Sequence, residues 1–500
     1  MSFDVHQLDV FVLVGAAVTM LAILGVRFSS RAGLPSLLVY LLMGVALGES
    51  GLGIGFEDAR LANALGFAAL ALILAEGGLA TSWREVRPSM RLGVSLATIG
   101  VAVSVTLVAL GAHFLLGLPW ELAVLLGAVT SPTDAAAVFS VLRVVPLPRR
   151  ITGALEAESG LNDAPTVVLV TLVAQGEFTG SNAFGAAGLV VYEIVAGVLI
   201  GLVVGFGGAW VMRRAALPSS GLYPLAVVTL TLLAYGAGAE LHASGFAATY
   251  VAALVLGNAD LPHRTATRSF AEGVGWLAQI GLFVMLGLLL SPGRITWATV
   301  GIAFAGGLVL TFVARPVSVA VSTLVAPLPR AELAFLSWAG LRGAVPIVLA
   351  TIPLAAGVPD GERLFDIVFV MVVIYTLLTG PTLPLVARVL KVARRSEPRG
   401  LDLESAPLER VAADLLEVTI SPRSRMHGVE VGELRLPAGV AVSMVVRDGA
   451  TVVPERRTVL KHGDDLIIVT PRGQREATED RLRTVSLHGR LGQWTQRKSS

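Results

Sequence analysis

Ala128-Val129-Thr130-Ser131-Pro132-Thr133-Asp134 sets a proline, three hydroxyl side chains and a carboxylate inside an otherwise apolar run that begins near Trp120. Proline removes a backbone donor and clashes with the preceding turn, so a helix entering this stretch is predicted to break and leave carbonyls free. A second interruption, Gly340-Leu341-Arg342-Gly343-Ala344-Val345-Pro346, stands much later in the chain. Counting apolar runs places the two breaks in the fifth and twelfth runs, the offset expected of a six-helix repeat with one intervening helix. Interrupted helices in corresponding halves are the sequence sign of inverted repeats, with ions bound where half-helix ends and freed carbonyls meet.

The surrounding sequence says what kind of protein this is. Apolar residues fill 54% of 500 positions and charged residues 15%, and mean hydropathy is +0.75. A water-facing globule does not tolerate that balance, so the chain reads as an all-α polytopic membrane protein. From Leu8 to near residue 390 there are about thirteen apolar runs, each long enough to cross roughly 30 Å of hydrocarbon. The first, Leu8 to Val26, lacks the basic segment and small-residue cleavage site of a signal peptide and reads as a retained helix.

Positive charge alternates from one connection to the next. One set holds Arg27 and Arg31; Arg84, Arg87 and Arg91; Arg143, Arg149 and Arg150; Arg213 and Arg214; Arg264 and Arg268; Arg330; and the Lys391 cluster. The other set holds only Arg60, Arg294 and Arg363, and its turns near Pro119, Gly180 and Gly238 hold none. That asymmetry places the amino end outside and the tail in the cytoplasm of a cell inner membrane. Scattered basic residues offer no stripe for nucleic acid, and the absence of cysteine excludes disulfides and thiolate metal sites.

After Lys391 the composition turns mixed. The expected organisation is a transmembrane domain over 1–392, a linker over 393–411, a small α/β cytoplasmic domain over 412–485 and a polar, disordered tail over 486–500. Within it, Leu415–Ile420, Met444–Arg447 and Asp465–Thr470 read as short strands separated by turn residues.

Charges inside hydrocarbon cost roughly 2.5–3.5 kcal/mol each even on a lenient scale, so buried ones are functional candidates. Asp134 follows the first break, Glu158 and Asp163 lie on the sixth run, Arg342 sits in the second break, and Glu76 lies alone in the third. Helical spacing stacks Glu158 on Asn162 and Ser159 on Asp163. With Thr133, Asp134 and freed carbonyls, these supply hard oxygen ligands for an alkali cation; no His or Cys accompanies them to favour zinc. Dehydration favours the neutral acid of Asp163 while a bound cation favours its ionised form, so proton and cation compete for one carboxylate. Arg342 is the partner expected for Glu158, and Arg315 is expected to snorkel toward the inner membrane surface. Glu76 is read either as lining the entry path or as bracing a neighbouring helix, and His113 and His242 as solvated loop ends.

Taken together, Thr130-Ser-Pro-Thr-Asp134, Glu158-Ser-Gly-Leu-Asn-Asp163 and Gly340-Leu-Arg-Gly-Ala-Val-Pro346 resemble the Asn-Asp branch of the monovalent cation/proton antiporters, over residues 8 to 390. The resemblance implies secondary active exchange of K⁺ or Na⁺ for protons, in pH homeostasis, by a homodimer whose core of crossed broken helices moves as an elevator. It assigns the cation site to Asp163, Glu158, Ser159, Asp134 and the Thr130–Thr133 region, with Asn162 bracing the crossing and Arg342 paired to Glu158. Asn162 in place of a second aspartate resembles the electroneutral, one-for-one type. The tail resembles the C-terminal half of the regulatory modules of potassium channels and transporters, without the Rossmann half that usually precedes it. That tilts the cargo toward K⁺ and suggests a small-ligand or nucleotide regulator, though a dimerising domain fits the same pattern. No resident cofactor and no catalytic residue is expected, and membrane lipids are the surroundings. A passive channel would want a repeated filter segment and a pore axis, which are missing. An intramembrane aspartyl protease would pair Asp134 with Asp163 but lacks the glycine-flanked catalytic aspartate of that class.

Overall fold

The structure is a computed structural model that describes residues 5–32, 36–49, 51–142, 145, 147–176, 183–393, 401–408, 413–422, 424–447 and 449–489. Arg143, the predicted turn at Gly180, the basic run from Arg394 to Arg399 and the terminal stretch 490–500 fall outside the described residues. The chain divides into two compact units, Met1–Arg394 and Arg395–Ser500.

The first unit is helical. Its segments in order are Val5–Ala32, Ser36–Leu47, Ala59–Ala80, Trp83–Phe114, the broken pair Trp120–Thr130 and Ala135–Leu142, then Arg149–Ala174 and Ala183–Arg214. There follow Leu222–Glu240, Gly245–Asn258, Arg264–Leu289, Trp297–Ser322, the broken pair Arg330–Trp338 and Ala344–Ala356, and Gly361–Thr379. Among the described residues these form thirteen successive membrane segments, of which six are helices long and apolar enough to cross a bilayer unaided.

The repeat is visible in the irregularities. The fourth segment has a π-helical turn at Leu96–Gly100 and the eleventh has one at Leu310–Ala314, each just before a broken segment. The two irregular segments also touch: Ser95 Oγ donates to the Ser322 carbonyl (3.1 Å), and Ser322 Oγ donates back to the Ser95 carbonyl (3.3 Å). Because hydrocarbon offers no partner for backbone polar groups, irregular backbone at this depth has to be satisfied by protein.

The second unit is a five-stranded antiparallel sheet, β1 (Leu401–Leu408), β2 (Ala413–Ile420), β3 (Ala441–Arg447), β4 (Ala450–Val452) and β5 (Asp465–Pro471), in the order β1-β2-β5-β3-β4. Strand β1 occupies residues that the sequence reading left in the linker. Pro407 obscured it, and an edge strand tolerates proline because its outer side needs no donor. The period-two pattern buries Leu416, Val418 and Ile420 on β2 with Leu466 and Ile468 on β5. Helix Arg475–His488 lays Leu482 and Val485 onto this face and runs past the predicted end of the domain at 485.

One polar group anchors the sheet end. Asp464, fully buried, accepts from Arg447 Nε and Nη2 (2.7 Å each) and from the Lys461 backbone N–H (2.8 Å). Burial pushes its carboxyl up, but the Arg447 fork and the Lys461 amide outweigh that and hold it below the usual carboxylate range. Removing these charge-assisted bonds in Asp464→Asn is expected to cost the domain about 1.5–3 kcal/mol, read as faster proteolysis of residues 401–488 in the full-length protein. The contribution of Asp464 is complete above the ordinary aspartate value of about 3.9 and is lost as pH falls through and below it. The variant should therefore lose that acid-dependent step.

Candidate functional site

The two breaks meet each other. The Asp134 backbone N–H donates to the Leu341 carbonyl (2.9 Å), and Arg342 Nε donates to the Thr130 carbonyl (3.2 Å). Arg342 Nη1 also donates to the Gly340 carbonyl. Its guanidinium thus serves carbonyls released where Trp120–Thr130 and Arg330–Trp338 end, the electronegative ends of both half-helices. Asp134 answers at the opposite ends: it accepts from the Ala137 N–H (3.2 Å) at the start of Ala135–Leu142. Its carboxylate also lies against Gly343, the residue before Ala344–Ala356, where a Cβ would stand 1.8 Å from Asp134 Oδ2. Only glycine permits that approach.

Helix Arg149–Ala174 runs beside the crossing and presents two faces. Asn162 Nδ2 donates to the carbonyl (3.1 Å) and the hydroxyl (3.2 Å) of Thr133, tying this helix to the first break. On that inward face lies Glu158, 1% exposed. The sequence expectation fails here: its partner is Arg315, whose two terminal nitrogens donate to both carboxylate oxygens, Nη2 to Oε2 at 2.9 Å. Arg315 therefore does not snorkel; it is 3% exposed and forms a bidentate buried pair. The π-turn immediately before it resets the helical register at the point from which it projects. Arg342, the predicted partner, is occupied by carbonyls instead.

The other face opens on a cavity of about 250 Å³. Asp163, Ser159 and Asp134 line it, as do Glu156, Glu76, Tyr250 and Gln279, with apolar walls including Leu70, Ile73 and Phe283. Four carboxylates face this space, and no Lys, Arg or His is among its lining residues. Asp163 is 5% exposed, and its Oδ1 has no hydrogen-bond partner. A lining rich in carboxylates, without a basic side chain and with a buried, unsatisfied carboxylate oxygen, fits a hard monovalent cation or a proton.

Thr133 and Thr130 stand apart from this lining. Thr133 is engaged with Asn162, while Thr130 turns its hydroxyl to the Leu126 carbonyl (2.6 Å) and borders a separate pocket of about 20 Å³ with Arg342. Sequence reasoning left Glu76 undecided and did not single out Glu156, Tyr250 or Gln279. Glu156 could have been found, because it precedes Asp163 by seven residues, two turns along one face. Nothing in the sequence separates Arg315 from Arg342 as the partner of Glu158.

Comparison with known proteins now decides the family. The sodium/hydrogen exchanger, transmembrane profile matches residues 16–389. The chain belongs to the sodium/hydrogen exchanger family. A TrkA-C domain profile matches residues 415–483 of this exchanger. It is 35% identical over 475 residues to the K(+)/H(+) antiporter NhaP of Alkalimonas amylolytica, covering 93% of this chain and 82% of that one. With the K(+)/H(+) antiporter NhaP2 of Shewanella oneidensis it shares 34% identity over 487 residues, covering 95% and 83%. The solved sodium proton antiporter MjNhaP1 from Methanocaldococcus jannaschii superimposes with a TM-score of 0.65 at 20% identity, over 77% of this chain and 100% of that one. These relatives are transporters and not enzymes, which sets the protease reading aside.

The Glu158–Arg315 pair yields a direct test. Arg315→Ala strands a buried carboxylate and is expected to cost about 3–5 kcal/mol, seen as a lowered thermal midpoint and folded yield in detergent. Arg315→Lys should recover only part, since an ammonium cannot form the fork. Arg342→Ala, by contrast, leaves Glu158 paired; an equal or larger loss there than in Arg315→Ala would contradict the assignment.

Proposed function

We propose that this exchanger moves a monovalent cation, K⁺ in preference to Na⁺, against protons by alternating access, with Asp163 as the shared carrier. The observation that carries the reading is the contrast between two carboxylates five residues apart. Glu158 is neutralised by Arg315, whereas Asp163 faces a cavity lined by carboxylates and by no basic side chain, with an unsatisfied oxygen. Ser159 and Asp134 share that cavity and are proposed as further cation ligands. Thr133 and Asn162 brace the site, and Glu158 with Arg315 holds the helix in place; Thr130 supports the crossing through its carbonyl.

Charge supplies the coupling. An ionised, empty Asp163 is costly to carry through a low-dielectric barrier, so the mobile forms are the protonated and the cation-loaded ones. Asn162 stands where a second aspartate would double the charge, which supports one cation per proton. Glu76 and Glu156 also face the cavity, so the stoichiometry rests on Asn162 and not on the number of carboxylates.

Preference for K⁺ is supported by the relatives named as K(+)/H(+) antiporters and by the TrkA-C match. That match also supports regulation of the tail by a small ligand or nucleotide. The alternation of arginines supports an inner-membrane protein with its amino end outside and the TrkA-C unit in the cytoplasm. A homodimer is proposed as the working unit, and the exposed apolar side of Ala183–Arg214, with Leu199, Val203 and Phe206, offers surface for a partner or lipid.

In proteoliposomes, a K⁺ gradient should drive proton movement that clamping the membrane voltage leaves unchanged, and Asp163→Asn should reduce it to the protein-free rate. Raising the pH should lower the half-saturating K⁺ concentration, because protons then compete less for the carboxylate. Wild-type exchange in Asp163→Asn, or conduction in place of exchange, refutes the reading.

A further inference from the structure

Glu156 is used by none of the chemistry described so far. It is half-buried on Arg149–Ala174, on the same face as Asp163 and two helical turns nearer the Arg149 end, about 10 Å along the axis. Both side chains line one cavity, and among the described residues Glu156 has no ion-pair partner. Between them lies Gly160, and the ring of Tyr250 rests directly on it: a Cβ at Gly160 would stand 2.2 Å from Tyr250 Cζ and 2.5 Å from its hydroxyl oxygen. The phenol is thereby held at the level of the helix that separates the two carboxylates. Tyr250 is 4% exposed, with its backbone in Gly245–Asn258.

Buried Asp163, whose Oδ1 lacks a partner, marks one end of the cavity as a ligand site. The other end repeats the same chemistry more loosely, with a carboxylate, a phenolic oxygen and no basic group. Apolar walls focus the field of such a cleft and raise the local concentration of cations.

We infer that Glu156 and Tyr250 form a second, weaker station for a monovalent cation, which an incoming ion occupies before passing Tyr250 to reach Asp163. This deepens the antiport reading and rests on it. The field of one charge at about 10 Å in a partly dehydrated cleft corresponds to about a three- to tenfold change in local cation occupancy.

The test uses the full-length protein in proteoliposomes, with K⁺ concentration varied at fixed pH. Glu156→Gln is expected to raise half-saturating K⁺ about three- to tenfold, with a maximal rate within about twofold of wild type. Glu156→Asp should shift it the same way by less, which keeps the test open should the glutamine variant fold poorly. Independently, detergent-solubilised Asp163→Asn should retain weak saturable ⁸⁶Rb⁺ binding that adding Glu156→Gln removes. Unmoved half-saturation in Glu156→Gln overturns the station, and so does a reduced maximal rate at unmoved half-saturation, the mark of a purely structural residue. Absence of K⁺-dependent exchange in wild type would instead sink the underlying antiport reading, so the two failures are distinguishable.

Discussion

A backbone hydrogen bond from Asp134 to Leu341 joins the two broken helical segments at their breaks, and Arg342, Asn162 and Thr133 gather around that junction. Interrupted helices in hydrocarbon leave donors and acceptors that only protein can satisfy. Here each break donates to the other, Asp134 N–H to the Leu341 carbonyl and Arg342 Nε to the Thr130 carbonyl. Arg342 serves the carbonyl ends, Asp134 accepts from the amide end of Ala135–Leu142, and Asn162 pins the neighbouring helix to Thr133. The breaks, costly in isolation, become a rigid polar island in an apolar bundle.

The island explains how charge is distributed. Arg342 is engaged by half-helix carbonyls, and Glu158 and Arg315 by one another, while Asp134 both meets a half-helix end and faces the cavity. Glu158 and Asp163 sit on one helix, yet its two faces give them opposite surroundings: a forked cation for one, a carboxylate-lined cavity without a basic group for the other. A carboxylate left without a fixed countercharge is one that a mobile cation or proton can neutralise. In the proposed mechanism Asp163 has that role, because the scaffold gives it no fixed cation and leaves its Oδ1 without a hydrogen-bond partner.

Much of this was readable from the chain. Pro132 and Pro346, each in a polar interruption of an apolar run, marked both breaks, and their separation by seven runs marked the repeat. The i,i+4 relation of Ser159 and Asp163 placed both on the cavity face. The partner of Glu158 was not readable. Arg315 and Arg342 are both arginines in apolar surroundings, each near a proline, and their difference lies in helix register. A π-turn at Leu310–Ala314 rotates the residues after it, and π-turns have no dependable local signature. Strand β1 escaped for a similar reason, because Pro407 argues locally against a strand that the edge of a sheet accepts.

By itself the sequence determined the membrane setting, the broken helices, the tail of short strands and the identity of Asp163 as an intramembrane acid, since hydrophobicity, proline and period-two alternation act locally. Tertiary structure alone decided which arginine meets Glu158 and that Glu76 and Tyr250 share a cavity with Asp163. Those outcomes depend on how separate helices are rotated against each other, a property set by packing across the bundle and carried by no single stretch of chain.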